Sequence, residues 1–209
     1  MAKKVAIIGA GEFGKQAKHI MSLTTDFIPY CYFDDYHESS EAHKLPVLGK
    51  INDVREYFEQ GLFDELFIAI GYNHSSFKME LIEKFDTIPL ATIIHPSSYI
   101  EESAILYPGV IIYGKCYIGP EVTLESGVTI NVGCNIPHNN LIGKCSFISV
   151  GVNMGGNTSI GAQNFIGVGT VFSDGISTVN DVTVGAGSTV IRNIEYSGTY
   201  VGSPVKKIK

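Results

Sequence analysis

Residues 1–94 alternate between two hydrophobic patterns, one typical of buried strands and one typical of helices. The strand patterns are KVAIIG, FIPYCYFDD, DELFIAIG and IPLATIIH. The helical patterns are EFGKQAKHIMSL, INDVREYFEQ and SSFKMELIEKF, the last of which begins at a serine suited to an N-cap. Strands that alternate with helices at this spacing predict a parallel α/β sheet with right-handed crossovers.

From Ile100 onward the hydrophobic period becomes six. A mostly aliphatic residue recurs without a slip through Glu195, at Ile100, Leu106, Ile112, Ile118, Leu124, Ile130, Ile136, Ile142, Ile148, Met154, Ile160, Ile166, Phe172, Thr178, Val184 and Val190. A repeat this short predicts a parallel β-helix, in which three units close one turn and residues 18 apart stack at about 4.7–4.9 Å. The predicted domains are therefore residues 1–94 and residues 95–209.

Several residues inside the predicted coil are not aliphatic. Asn140 and Asn164 fall at inward positions, where we expect them to bond to the backbone of the coil. Cys116 and Cys134 lie 18 apart and should be stacked neighbours. They could form a metal or redox pair, but small buried residues that fill the core are the favoured interpretation.

Charge and composition exclude several classes of protein. A net charge of −6 argues against nucleic-acid binding, which needs a basic surface. No apolar run approaches the roughly 20 residues of a membrane span, and the start of the chain has no signal-peptide pattern. The four cysteines form no CxxC pair, so a zinc ribbon or thioredoxin-type site is not expected. A reduced, cytoplasmic protein is the expectation.

A glycine-rich loop follows the first strand pattern. Gly9, Gly11 and Gly14 form G-x-G-x-x-G between a strand and a helix, and Asp34 follows the second strand. This is the pattern of a dinucleotide-binding loop, whose glycines let the backbone approach a phosphate. Only four strands fit before residue 95, so half of a Rossmann fold, suited to one nucleotide, is the favoured interpretation. Binding of NAD and a purely structural loop remain open.

One histidine interrupts the hexads. Pro137, His138 and Asn139 follow the inward Ile136, so His138 lies at a turn and points away from the core. It is the only histidine between residues 100 and 195, which excludes the three-histidine zinc site of a γ-carbonic anhydrase. His95 lies at the domain junction, where a structural role is expected.

The hexads resemble the left-handed β-helix of the hexapeptide-repeat acyltransferases, and the handedness follows from this resemblance. The segment IPHNNLIGKCSFISVGVNMGGNTSIG resembles the active-site stretch of nucleotide-sugar N-acetyltransferases and sialic-acid O-acetyltransferases. The resemblance implies a homotrimer with acetyl-CoA in the clefts between neighbouring β-helices. It implies that His138 is the catalytic base and that the Gly156 N–H faces the acetyl carbonyl.

The same resemblance assigns further residues. The closing YVGSPVKKIK resembles the tail of the family and would place Lys206 near a CoA phosphate. The CoA cleft would also include Phe147, Val168 and Ala186. The N-terminal domain would hold a nucleotide-linked sugar through Gly9, Gly11, Gly14, Lys15, Asp34 or Asp35, Gly71 and Asn73.

Two departures from the family pattern bear on the acceptor. Asn139 stands where several relatives have an acid, so it can orient the imidazole but cannot add a charge beside it. Phe147 stands where some relatives have a second histidine. A weaker base is better tolerated with an amine, which is a nucleophile once neutral, than with a hydroxyl.

The expected activity is therefore acetyl-CoA-dependent N-acetylation of an amino-deoxy sugar, without a metal. The sugar would be linked to dTDP or UDP, with a 4-amino-4,6-dideoxy sugar expected, and would serve bacterial surface-polysaccharide synthesis. The alternatives are a sugar O-acetyltransferase of the sialic-acid type and a non-catalytic, sugar-binding β-helix.

Overall fold

The computed structural model describes residues 1–209, which form two compact units, residues 1–93 and residues 94–209. No helix has the length and apolar character needed to cross a bilayer. The fold is an α/β domain followed by a left-handed parallel β-helix.

The first unit is a five-stranded sheet with helices. Its elements are β1 (Lys3–Ile8), α1 (Glu12–Met21), β2 (Phe27–Phe33), β3 (Glu41–Ala42), β4 (Leu45–Gly49), a 3-10 helix (Ile51–Asp53), α2 (Val54–Glu59), β5 (Glu65–Ile68), a second 3-10 helix (Tyr72–His74) and α3 (Ser75–Lys84). The strand order is β3-β4-β2-β1-β5, and only the β3–β4 pair is antiparallel.

The helices and central strands of this unit follow the hydrophobic pattern. Strand β1 is buried from Val5 to Ile8 because it is central and covered on both faces. Helix α1 buries Gly14, Ala17, Ile20 and Met21, which recur at helical spacing and form its core-facing stripe.

Two local predictions for this unit were wrong, and one hairpin was not predicted. The segment IPLATIIH adds no strand to this sheet: Leu90 makes an isolated bridge to Leu66, and Ile93–Ile94 forms a strand of the second unit. Pro89 has no N–H to donate to a ladder. The hairpin β3–β4 lies at the opposite edge of the sheet from β5, and its turn residues His43 and Lys44 have φ of 48° and 66°. This hairpin was missed because non-glycine residues rarely form such turns. Helix α3 starts at Ser75 itself, after His74, without a side-chain cap.

The second unit is built from very short strands. They are β6 (Ile93–Ile94, at the unit boundary), β7 (Tyr99–Ile100), β8 (Ile105–Leu106), β9 (Ile111–Ile112), β10 (Tyr117–Ile118), β11 (Thr123–Leu124), β12 (Thr129–Ile130), β13 (Asn135–Ile136), β14 (Leu141–Ile142), β15 (Phe147–Ile148), β16 (Ser159–Ile160), β17 (Phe165–Ile166), β18 (Val171–Phe172), β19 (Val182–Val184), β20 (Thr189–Val190), β21 (Gly198–Val201) and β22 (Lys206–Lys207).

These strands form three faces. Face 1 contains β7, β10 and β13, then Asn153 as a bridge, then β18 and β20. Face 2 contains β8, β11, β14 and β16. Face 3 contains β6, β9, β12, β15, β17, β19 and β21, with β22 antiparallel to β21 at its end.

The predicted 18-residue register is confirmed. Ile130 pairs with both Ile112 and Ile148, and all three side chains are fully buried. The hexads at Met154 and Thr178 form isolated bridges, not strands, and the period continues through them. The inward residues of all three faces form one hydrophobic core.

The two inward asparagines bond to the backbone as predicted. Asn140 donates to Pro137 O (3.0 Å) and Gly155 O (3.1 Å). Asn164 donates to Val179 O (3.0 Å) and accepts from the Val182 N–H (2.7 Å). Each is 1% exposed, so these bonds satisfy polar groups that have no access to water.

Candidate active site

His138 lies on an exposed corner of the coil between face 1 and face 2. We call this the histidine corner; it comprises residues 137–140, 155–158 and 173–176 on successive turns. The hexads dictate this placement, because Ile136 and Asn140 both point inward and the residues between them must turn. The corner is held from inside by the bonds of Asn140 to Pro137 O and Gly155 O.

Asn139 fixes the orientation of the imidazole. Its φ of 58° lies in the left-handed region, which asparagine tolerates better than most side chains. Its Oδ1 lies 3.0 Å from His138 Nδ1. An amide oxygen can only accept, so the proton resides on Nδ1 and Nε2 is left with a free lone pair. Nε2 is the atom that can take a proton from a substrate.

Gly156 lies directly below the ring, one turn along the coil. A Cβ at Gly156 would come 2.4 Å from His138 Cε1 and 2.5 Å from Nε2, so only glycine leaves room for the imidazole here. The Gly156 N–H donates to Asp174 Oδ1 at 2.7 Å. The Gly156 N–H, which the family resemblance places opposite the acetyl carbonyl, therefore already donates to another acceptor in this structure.

Asp174 was missed at the sequence level. It lies 18 residues after Gly156 and 36 after His138, so the repeat period places all three in one column. That spacing is a signal that could have found it. The contact itself depends on backbone geometry, because a Cβ at Gly155 would meet Asp174 N at 2.5 Å and Oδ1 at 2.7 Å.

Apart from Gly156, which lies at the histidine corner, the residues expected to bind CoA lie on face 3 and beside it. Phe147 stacks on Phe165, with ring centroids 5.7 Å apart. Val168 and Ala186 are exposed on adjacent turns of the next corner, between face 3 and face 1. Lys206 is exposed in β22, four strand positions from β15, or roughly 19 Å at the usual strand spacing.

The histidine corner and the other predicted CoA residues are on different sides of the same coil. His138 lies between faces 1 and 2, whereas Phe147 and Lys206 lie on face 3. One chain therefore does not bring the two sets together, and a site that uses both needs a second copy.

The predicted nucleotide residues meet at the carboxyl edge of the first unit's sheet. Gly9 follows β1, Asp34 follows β2 and Gly71 lies beyond β5, and these strands are adjacent in the order β2-β1-β5. Asn73 is exposed in the 3-10 helix that follows. A parallel sheet binds ligands at this edge.

The glycines of the loop have distinct roles. Gly9 has φ of 100°, and a Cβ at Gly14 would lie 2.0 Å from Gly9 O, so both are required by the turn itself. A Cβ at Gly11 would meet nothing within 4 Å. Gly11 therefore leaves open space at the start of α1, where a phosphate could approach.

The carboxylate of Asp34 is hydrogen-bonded to three backbone N–H groups. Its Oδ2 accepts from the Ala10 N–H (2.8 Å), and its Oδ1 accepts from the N–H groups of Tyr36 (2.8 Å) and His37 (3.0 Å). Partial burial favours a higher pKa, but these three N–H donors outweigh it and hold the pKa of Asp34 below its usual value. Asp35 is exposed, and its Oδ1 accepts one bond from the Ile51 N–H.

A basic cavity of about 390 Å³ adjoins the glycine loop. His43 Nε2 lies 2.8 Å from Ala10 O of the loop, while Lys15 pairs with Glu12 at 3.3 Å. The lining residues are Lys15, Lys18, His19, Ser22, His43 and Lys44. A larger cavity, of about 670 Å³, lies at the opposite edge of the sheet, around Lys3, Asp26 and Glu65, where the strands begin.

The stacked cysteines belong to the core. Cys116 and Cys134 are buried, and their thiols donate to Asn131 O and Ser149 O, each at 3.0 Å. No group of three or more potential ligands that could hold a metal ion surrounds them. Their contacts agree with small buried residues that fill the coil.

Comparisons with known proteins agree with this architecture. Residues 4–84 match the PglD N-terminal domain family. The acetyltransferase domain of PglB from Neisseria gonorrhoeae FA1090 is 26% identical, with a TM-score of 0.91 over 99% of this chain and 100% of that one. A second structure of that domain is a complex with acetyl coenzyme A, at 25% identity and a TM-score of 0.89.

PerB from Caulobacter crescentus is similar to the same degree. In complex with CoA and GDP-perosamine it is 26% identical, with a TM-score of 0.91 over 99% of this chain and 97% of that one. No curated protein sequence matches the chain. The chain thus has a PglD-type N-terminal domain, and over its whole length it is similar to the hexapeptide-repeat acyltransferases that act on nucleotide-linked amino sugars.

Proposed function

We propose that the protein transfers the acetyl group of acetyl-CoA to the amino group of a nucleotide-linked amino sugar. The observation that carries the proposal is His138 on an exposed corner, with Nδ1 held by Asn139 and Nε2 free, above a glycine that leaves room for the ring. The PglB domain with acetyl coenzyme A and PerB with CoA and GDP-perosamine support the two substrate classes.

The chemistry is a direct transfer in which His138 is the base. The neutral amine attacks the thioester carbon, the C–N bond forms, and Nε2 takes the proton that the nitrogen loses. The C–S bond then breaks, and the CoA thiolate receives the proton from the imidazolium. A backbone N–H such as that of Gly156 stabilises the charge on the carbonyl oxygen while the tetrahedral intermediate exists.

We assign the nucleotide-sugar to the carboxyl edge of the first unit. Gly11 leaves space for a phosphate beside the start of α1, and the lysines and histidines of the adjoining cavity favour a diphosphate there. Asp35 is the better candidate for a contact with base or ribose, because Asp34 already accepts three backbone bonds. Gly71 and Asn73 complete the same edge.

The sugar we favour is a 4-amino-4,6-dideoxy sugar of bacterial surface-polysaccharide synthesis. The nucleotide expected from the sequence is dTDP or UDP, whereas the structure of PerB is a complex with a GDP-linked sugar, GDP-perosamine. A substrate screen therefore includes dTDP-, UDP- and GDP-linked amino sugars. Sugars with only hydroxyl acceptors, including sialic acid, test the O-acetyltransferase alternative in the same screen.

We also propose that the active unit is a homotrimer with three shared sites. The separation of the histidine corner from face 3 within one chain supports this, because a neighbouring coil would bring the two surfaces together. The exposed Val150 and Val168 beside face 3 are suited to such a contact.

The deciding experiment measures CoA release from acetyl-CoA with each acceptor. His138→Ala should lower kcat by about 10²–10⁴-fold, the usual contribution of a general base, while the Kd for acetyl-CoA stays unchanged. His95→Ala is the matched control, since His95 also lies in a turn of this unit, where its ring bonds to Ser97, and this variant should keep full turnover. Full activity of His138→Ala, or acetylation of hydroxyl acceptors alone, would overturn the proposal.

A further inference from the structure

The Asp174 carboxylate accepts the hydrogen bond of the backbone N–H that the proposed reaction needs. A backbone N–H has a single hydrogen, and that of Gly156 points to Asp174 Oδ1 at 2.7 Å. The acetyl oxygen and the carboxylate are therefore competitors for one donor. A carboxylate that remained in place would also repel the negative charge that develops on the carbonyl oxygen.

The surroundings of Asp174 allow it to leave. The side chain is exposed, so its carboxylate can turn into water without a buried charge being left unpaired. Its approach to the Gly156 N–H depends on Gly155, since a Cβ there would lie 2.7 Å from Asp174 Oδ1. The paired glycines thus make room for the carboxylate on one side and for His138 on the other.

Another corner of the coil offers a comparison. The Ala162 N–H donates to Asn180 Oδ1 at 2.8 Å, again across 18 residues. This coil therefore uses the same hydrogen bond at two corners: a side-chain oxygen accepts from the backbone N–H that lies 18 residues earlier, one turn back. At Ala162 the cap is a neutral amide with no histidine above it, because Lys144 holds the equivalent place. At Gly156 the cap is a charged group beside His138.

We propose that Asp174 is a positioning residue that holds the Gly156 N–H while no acyl group is bound and releases it when the acyl thioester binds. The proposal rests on the function proposed above, in which that N–H receives the acetyl oxygen. Acetyl-CoA must displace the carboxylate, whereas CoA has no carbonyl at that place and need not. Asp174 consequently weakens the binding of acetyl-CoA relative to CoA.

The test compares the affinities for CoA and acetyl-CoA by titration calorimetry. Asp174→Ala removes the competitor and should shift the ratio of the two Kd values toward acetyl-CoA on the order of tenfold, as expected for a hydrogen bond to a charged group. Asp174→Asn keeps a neutral acceptor like Asn180 and should shift the ratio by a smaller factor. Asn180→Ala removes a cap of the same geometry elsewhere and should leave the ratio as in the native protein.

The ratio separates this role from a purely structural one. If Asp174 only stabilises the turn, both Kd values will change together and the ratio will stay constant, which overturns the proposal. Should Asp174→Ala fail to fold, the isosteric Asp174→Asn decides the question by the same ratio. An enzyme that binds no acetyl-CoA at all would instead refute the proposed function.

A structure with acetyl-CoA provides a second, direct measurement. The acetyl oxygen should lie within hydrogen-bond distance of Gly156 N, with the Asp174 carboxylate turned away. A complex in which Asp174 Oδ1 keeps its bond to Gly156 N would overturn the proposal even if the enzyme were active, because the oxyanion donor would then be another group.

Discussion

Asn139 and Asp34 show how single side chains serve these sites through the backbone. Asn139 accepts the left-handed conformation that the corner demands and, from that position, holds Nδ1 of His138. Asp34 gathers three N–H groups at the end of β2, one of them from the glycine loop. The shape of each site thus depends on a polar side chain that binds the chain itself.

Asp34 makes the stability of the first unit depend on pH. Its pKa is lower in the folded protein than the ordinary value of about 3.9, so its contribution is complete above that value and is lost as pH falls through the lower, folded pKa. Asp34→Asn should be less stable at pH 7, and the two proteins should converge at low pH. Hydrogen exchange of the β1 amides, corrected for intrinsic rate, measures this. If the stabilities of the native protein and Asp34→Asn, plotted against pH, stay parallel down to about pH 2, Asp34 is not the source of the pH dependence.

The glycine loop shows that one motif can combine two requirements. Gly9 and Gly14 are needed for the turn between β1 and α1, because a side chain on Gly14 would overlap the carbonyl of Gly9. Gly11 is under no such constraint. A role for Gly11 must therefore come from outside the loop, and a bound phosphate is the partner that we propose.

Alanine substitutions separate the two requirements. Gly14→Ala should destabilise the first unit by about 1–3 kcal/mol or more, the usual cost of overpacking. Gly11 is the N-cap of α1, and alanine is a poorer N-cap, so Gly11→Ala should cost about 1 kcal/mol or less. It should nevertheless weaken nucleotide-sugar binding, because its methyl group occupies the space for the phosphate. Thermal unfolding and titration calorimetry report the two effects. If Gly11→Ala binds the nucleotide-sugar with native affinity, the glycine loop is not part of the binding site.

At the scale of the whole molecule, the proposed base and the proposed CoA-binding residues lie on separate surfaces of one chain. The coil presents His138 at one corner and Phe147, Val168 and Lys206 on or beside the opposite face. A rigid coil cannot fold one surface onto the other, because each turn is paired with the next along its whole length. Activity should therefore be a property of the oligomer.

Mixed oligomers test this. His138→Ala removes the base, and Ala186→Trp should block the CoA cleft, so each variant alone should be inactive. Co-expressed in equal amounts, they should regain about one quarter of native turnover, since random assembly pairs an intact corner with an intact cleft at that frequency.

The control for this experiment is a chain that carries both substitutions. Co-expressed with His138→Ala, the double variant supplies no intact histidine corner and should restore nothing. Mixtures of the two single variants that stay inactive, although mass spectrometry shows mixed trimers, would contradict a site shared between chains.

The hexads made the second unit predictable, because a coil of this kind needs only an inward side chain at a constant spacing. The spacing alone places Ile112, Ile130 and Ile148 in one column and turns His138 outward, and the fold agrees on both points. The first unit was less predictable. Its central strands and α1 follow their patterns, whereas the β3–β4 hairpin depends on a His43–Lys44 turn that no common turn motif marks.

The sequence by itself determined the repeat, the glycine loop and an outward imidazole, since each depends on residue type at a short, constant spacing. Tertiary structure decided which polar groups meet across the turns of the coil. Asp174 is 36 residues from His138, and its bond to the Gly156 N–H exists because Gly155 lets the backbone of the next turn come close. Hydrogen bonds of this kind depend on differences of tenths of an ångström, which spacing along a chain does not specify.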